Sequence, residues 1–109
     1  MGAKIKQYDV FWVNLDPTEG SEMAKKRPCV IISPNEMNDC LNTVTIAPLT
    51  SNLMPIFWRV KVFFNKQNGI IALDHIRSVS KSRLNKRMGH LQTSEIQAVK
   101  QTIKEIFVD

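Results

Sequence analysis

Phe57-Trp58-Arg59-Val60-Lys61-Val62-Phe63-Phe64 is the stretch on which the fold turns. Its residues alternate. Trp58, Val60, Val62 and Phe64 point one way, and Phe57, Arg59, Lys61 and Phe63 the other. A period of two belongs to a strand, because successive side chains leave a pleated chain on opposite sides. The first face is suited to a core. The second mixes two cations with two aromatic rings, which fits contact with phosphates and bases as well as an ordinary outer sheet face.

The same kind of pattern recurs on both sides. Residues 65–68 read as a turn and 69–73 as a short apolar strand. Upstream, Thr43-Val44-Thr45-Ile46-Ala47-Pro48-Leu49 is a β-branched strand in which Pro48 belongs on an edge or at the strand's end. Residues 27–33 form another strand around Val30-Ile31-Ile32, with prolines at 28 and 34. Ser33-Pro34-Asn35-Glu36 then has the form of a helix start, with a serine cap, and predicts one helical turn to about residue 39. Residues 8–15 make the first strand, with Phe11, Val13 and Leu15 on one face and Val10, Trp12 and Asn14 on the other, and Asp16-Pro17 closes it. At the end of the chain, 94–108 reads as a helix. Ser94 and Gln97 form a capping box, and Ile96, Val99, Ile103, Ile106 and Phe107 make one apolar stripe. The sum is mainly β with a C-terminal α-helix, as a small antiparallel barrel or curled sheet packed on that helix.

Length and composition set the bounds. The 109 residues suit one domain, with 43% hydrophobic and 23% charged residues. No apolar run approaches a membrane span and residues 1–7 lack a signal-peptide core, so the expected location is the cytoplasm, with no membrane partner. A net charge of +5 favours an acidic partner. Cys29 and Cys40 read as free thiols, and neither they nor His75 and His90 have metal-ligand spacing, so neither metal nor cofactor is expected.

The loop between the first two strands concentrates the chemistry. Glu19-Gly20-Ser21-Glu22-Met23-Ala24-Lys25-Lys26-Arg27-Pro28 holds two carboxylates, a hydroxyl and three consecutive cations. Pro28 biases Arg27 toward an extended conformation at the mouth of the next strand. One reaction suits this inventory without metal: cleavage of RNA by its own 2′-hydroxyl. The nucleophile arrives with the substrate, and the protein has only to move protons and stabilise charge on phosphorus. Arg27 can fork onto phosphate oxygens. Glu22, Asp74 and His75 are candidate proton carriers, and Thr50 or Ser51 can hydrogen-bond a phosphate oxygen. These residues alone serve a non-catalytic RNA-binding barrel equally well.

Three motifs carry a resemblance. Asp16-Pro17-Thr18-x-Gly20-Ser21-Glu22, then Arg27-Pro28-x-Val30-x-Ile32-Ser33-Pro34, is the first. Ala47-Pro48-Leu49-Thr50-Ser51 is the second, and Ala72-Leu73-Asp74-x-Ile76-Arg77-Ser78-Val79-x-Lys81-x-Arg83-Leu84 the third. In order and spacing they resemble the MazF/PemK family of toxins, over nearly the whole chain. The resemblance implies an SH3-like barrel of the CcdB/PemK kind and a homodimer. It implies metal-independent, sequence-specific cleavage of single-stranded RNA, leaving a 2′,3′-cyclic phosphate and a 5′-hydroxyl. A cognate antitoxin with an acidic, disordered tail would neutralise the toxin, and operator DNA would be bound only through that complex.

Carried over residue by residue, the resemblance makes Arg27, Thr50 and Glu22 catalytic. Ser21, Lys25, Lys26, Ser51, Arg59, Lys61, Asp74, His75 and Arg77 are the expected RNA contacts, and a structural ion pair between Asp74 and Arg77 is the alternative for those two. The chain departs from the pattern at Met23, where glutamine is common, and at Lys25-Lys26, near which relatives carry glycine. His75 stands where a neutral polar residue is usual, and an imidazole there can exchange protons or simply be a satisfied loop side chain. Two other functions remain open on the same barrel: a gyrase-inhibiting toxin and an RNA-binding module without activity. The gyrase poisons implied by this architecture rely on a C-terminal tryptophan, whereas this chain ends Glu105-Ile106-Phe107-Val108-Asp109.

Overall fold

The structure, a computed structural model, describes residues 4–16, 25–52 and 56–108. Among them are seven strands: β1 (Asp9–Asn14), β2 (Lys26–Ile31), β3 (Thr43–Thr50), β4 (Arg59–Phe64), β5 (Gln67–Ala72), β6 (Arg77–Ser80) and β7 (Leu84–His90). Helix α1 (Asn35–Cys40) separates β2 from β3, and α2 (Thr93–Ile103) follows β7 and runs on into a π-helical turn, Lys104–Val108. Every pairing is antiparallel, in the order β4-β5-β3-β2-β1-β7, with β6 also on β3.

The sheet curls until its two ends touch. Gly89 of β7 lies under the ring of Phe64 of β4, so closely that a Cβ at 89 would come within 2.9 Å of Phe64 Cε1. Only a glycine lets the ring lie there. Among the described residues, side-chain packing and not a hydrogen-bonded ladder closes this half-barrel. Inside it Val10, Val30, Leu49, Val60, Val62, Ile71 and Leu73 form the main core, and Val99, Ile96, Ile103 and Ile106 of the C-terminal helical segment pack against them. Phe11, Val13, Cys29, Ile31, Val44 and Ile46 form a second core on the opposite face. The first strand is therefore covered on both faces, with Val10 in one core and Phe11 and Val13 in the other. No helix among the described residues is long and apolar enough to cross a membrane.

Several local expectations give way to tertiary demands. Pro48 lies neither on an edge nor at the strand's end, because β3 is shared by β2, β5 and β6. The Thr45 carbonyl accepts from Ile32 N (2.8 Å), so odd residues of β3 turn their main-chain groups to β2 and even ones to the other side. Pro48 falls in the gap on that other side, after the last β6 pair (Ile46 with Arg77) and before the first β5 pair (Leu49 with Ile71). Its missing N–H costs no ladder bond there. Ser33 does not cap α1. Its hydroxyl donates to Asn38 Oδ1 (2.5 Å) and accepts from Thr45 N (3.0 Å), tying a buried polar knot. Phe107 leaves the apolar stripe and is 60% exposed, since the wider π turn changes the angular step per residue.

The capping box of α2 is Gln92 with Glu95, not Ser94 with Gln97. A second bond explains the choice. Glu95 Oε1 accepts from Gln92 N and Oε2 from Phe63 N, both at 2.9 Å, so one carboxylate caps the helix and covers an N–H of edge strand β4. Glu95→Ala is expected to cost about 1–2 kcal/mol, read from the urea midpoint, and Glu95→Gln less. Equal losses for the two would show that the acceptors carry no weight.

The β4–β5 hairpin closes in two residues, so the turn is shorter than 65–68 and β5 already includes Gln67 and Asn68. Asn65 and Lys66 both have positive φ, 55° and 64°, as the tight turn matching strand twist requires.

Candidate active site

Strands β2 and β3 pair as far as Cys29 with Pro48 and then part. Two residues further, the same register would set Arg27 opposite Thr50. Instead β2 stays with β1, where Val13 pairs with Arg27, and β3 goes over to β5, where Thr50 pairs with Ile70. The splay leaves an open pocket of about 290 Å³. Lys25, Lys26, Arg27 and Pro28 form one wall, and Leu49, Thr50 and Ser51 the back. The far wall is the β4–β5 hairpin, with Phe64, Asn65, Gln67, Asn68 and Gly69, joined by Met88 of β7.

The cationic wall is held from its main chain. Lys25 takes a left-handed φ of 68°, a conformation that costs a non-glycine residue about 1–2 kcal/mol. Its N–H donates to Asp16 Oδ1 (2.8 Å), and its carbonyl accepts from Leu15 N (2.9 Å). The backbone thus keeps the conformation a glycine favours while the side chain adds a charge beside Arg27.

Residues paired across a sheet share a face, and so do residues two apart along a strand. By that rule Arg27, Thr50, Arg77 (opposite Ile46) and Lys61 (opposite Ile70) all lie on one face. Lys61 is in Thr50's own row, two strands over, roughly 10 Å away at the backbone. Cys29 lies buried on the same face. Burial pushes its thiol up to about 12, against the pull of the Arg27 and Arg77 charges, so it is no nucleophile. Arg77 Nη1 is buried with no hydrogen-bond partner among the described residues.

The other expected residues sort clearly. Ser51 lines the pocket with Thr50. Arg59 and Asp74 do not line it. Arg59 Nε and Nη2 reach Asp74 Oδ1 and Oδ2 at 3.0 and 2.9 Å, so Asp74 pairs with Arg59 and not with Arg77. This fork holds the Asp74 carboxyl below its usual range, against partial burial. His75 Nε2 stands 3.6 Å from Asp74 Oδ2, outside the pocket. Ser21 and Glu22 lie outside the described residues. The basic run that follows β6 mostly serves the fold: Lys81 donates to the Asn38 carbonyl, Arg83 to those of Asn14 and Asp16, and Arg87 to Asp9. The hairpin amides, Phe64 and Met88 were not legible as site residues. Asn65-Lys66-Gln67-Asn68 signals a turn, and nothing local says that its tip faces Arg27. Among the described residues no three of His, Cys, Asp and Glu gather as a metal site.

The family model for PemK-like, MazF-like toxins of type II toxin–antitoxin systems matches residues 6–107. The chain belongs to that family. The endoribonuclease toxin MazF of Escherichia coli K12 is 29% identical over 96 residues, 87% of this chain and 86% of the relative. Endoribonuclease MazF of Staphylococcus saprophyticus is 30% identical over 105 residues, 91% of this chain and 88% of the relative. Among solved structures, MazF of Deinococcus radiodurans superposes with a TM-score of 0.87 at 20% identity, over 99% of this chain and 100% of that one. The same organism's MazE–MazF complex gives 0.79 at 17%, over 99% and 100%. This likeness to the solved structures is one of fold: a mainly β half-barrel with a C-terminal helix.

Proposed function

We propose that this chain is the endoribonuclease toxin of a toxin–antitoxin pair, cutting single-stranded RNA at a short sequence motif. The observation that carries the reading is the convergence of Arg27 and Thr50 on one pocket beside Lys25 and Lys26, where β2 and β3 part.

The ribose 2′-hydroxyl gives up its proton to a base as its oxygen attacks the adjacent phosphorus, the bond from phosphorus to the 5′-oxygen breaks, and that oxygen takes up a proton in turn. The products are a 2′,3′-cyclic phosphate and a 5′-hydroxyl. Arg27 forks onto the non-bridging oxygens as charge builds on them, and the Thr50 hydroxyl donates to the same group. Glu22 is the residue proposed to carry a proton. No activated water is needed, because the nucleophile belongs to the substrate, and the reaction runs without metal. Lys25, Lys26, Lys61 and Arg77 supply positive field along the strand's path. Arg59 serves through Asp74, which fixes its fork at the edge of the same face. A homodimer extends this face across two copies, and a cognate antitoxin with an acidic tail competes for it.

The test is incubation of purified protein with a long mixed-sequence RNA in excess chelator, with the new ends mapped. Cuts at one recurring motif, ending in cyclic phosphate, are expected. Intact RNA with folded protein would overturn the reading.

A further inference from the structure

The two walls of the pocket differ in chemistry. The wall built from residues 25–28 carries three cations. The wall opposite carries none. It offers three side-chain amides, Asn65, Gln67 and Asn68, over an apolar floor of Phe64 and Met88. Lys66, at the tip of the same hairpin, does not line the pocket. A cationic wall takes phosphate. A neutral wall of amides and one aromatic ring takes a nucleobase, since each amide presents a donor beside an acceptor and any base can lie on a ring.

Three further observations support a reading site. The hairpin is held rigid by six successive pairs, from Arg59 with Ala72 to Phe64 with Gln67. The floor is fixed too, since Gly89 lets the Phe64 ring lie against β7. The amides themselves have no task in the fold. Asn14, Asn35 and Asn38 each accept or donate a hydrogen bond that ties the chain together. Among the described residues no hydrogen bond engages the side chain of Asn65, Gln67 or Asn68, and all three are exposed. A volume of about 290 Å³ is at the small end for ligand pockets, room for one nucleotide.

We propose that the tip of the β4–β5 hairpin reads one base beside the cleaved phosphate, with Asn68 on the face of Arg27 and Thr50 and Gln67 on the Phe64 face of the same tip. The favoured base is adenine, whose amino group and neighbouring ring nitrogen match a side-chain amide in two hydrogen bonds. The inference rests on the ribonuclease reading above and names what sets its sequence preference.

The experiment compares wild type with Asn68→Ala, Gln67→Ala and Asn68→Asp on an RNA library with mapped ends. A parallel arm measures binding to uncleavable 2′-deoxy oligonucleotides that differ at the one base. The alanine variants are expected to lose roughly ten- to a hundred-fold in discrimination for adenine at one motif position. Asn68→Asp, left with acceptors only, is expected to shift the preference toward cytosine, whose amino group donates. A merely structural role would slow all motifs alike and leave the preference in place. Cleavage whose motif none of the three variants moves would overturn the inference. RNA left whole by the wild type, yet bound with an adenine preference that Asn68→Ala erases, would sink the ribonuclease reading and keep the hairpin's. No cleavage and no base preference in binding would sink both.

Discussion

Arg27→Ala is expected to lower the rate of RNA cleavage by about a hundred- to a thousand-fold, the usual loss when one preorganised donor to a developing oxyanion is removed. The fold should survive. Arg27 is only half-buried at the start of β2, and the strand is anchored further along by Cys29, Val30 and Ile31, all fully buried. The backbone at Arg27 is also held independently, by pairing with Val13 on one side and by Pro28 on the other. Single-turnover cleavage and a thermal melt on the same preparation separate the two effects. Arg27→Lys keeps the charge and loses the fork, and most of the rate should go with it. A wild-type rate in Arg27→Ala would remove Arg27 from the chemistry, and a Lys variant as fast as wild type would mean that charge alone matters.

Asp9→Asn is expected to have the largest effect on stability, and one that depends on pH. Asp9 is fully buried at the start of β1. His90 Nδ1 lies 2.8 Å from its Oδ1, Arg87 Nη2 lies 3.2 Å from the same oxygen, and Lys6 N donates to Oδ2 at 3.1 Å. Burial alone would push the Asp9 carboxyl up, but the bonds from His90, Arg87 and Lys6 outweigh it and hold the carboxyl below its ordinary range. The clasp matters because the β1–β7 ladder is irregular, with register shifts on both sides of Phe11, and β7 is the strand that closes the half-barrel.

Breaking a buried ion pair costs about 3–5 kcal/mol when the partner stays buried. Here the Arg87 and His90 side chains are 47% and 41% exposed and can turn to water. The loss should therefore be nearer 2 kcal/mol. The sign follows from a depressed folded pKa. The contribution is full above the unfolded carboxyl value near 4 and is lost as pH falls through the lower folded one. Urea midpoints measured at descending pH should fall for the wild type below about pH 4. The Asn variant should start lower at neutral pH and lack this part of the slope. Parallel curves for the two proteins would show that Asp9 is not the group responsible. Since Gly89 and Met88 sit on β7 beside Phe64, a loosened clasp should also weaken RNA binding.

The strands, the terminal helix and the position of Arg27 were legible in the sequence because each rests on neighbours along the chain. Alternation over residues 57–64 needs only the two-residue pleat, and the stripe from Ile96 to Ile106 only the helical turn. Arg27 is aimed by the proline that follows it. The order of the Arg27, Thr50 and Asp74 motifs was enough to place the chain in its family. What decided the site lay between strands. Periodicity says which residues share a face of one strand, but register says which of them meet, and register is set by pairing partners far apart in sequence. The splay after Cys29 and Pro48, the capture of Asp74 by Arg59 in place of Arg77, and the turn of the Asn65–Asn68 tip toward Arg27 all follow from it. Glu95 and Ser33 show the same thing at smaller scale. The local pattern offered Ser33 as a helix cap and Ser94 with Gln97 as a capping box; the tertiary structure used Ser33 and Glu95 instead to satisfy an N–H on a neighbouring strand, Thr45 and Phe63 respectively.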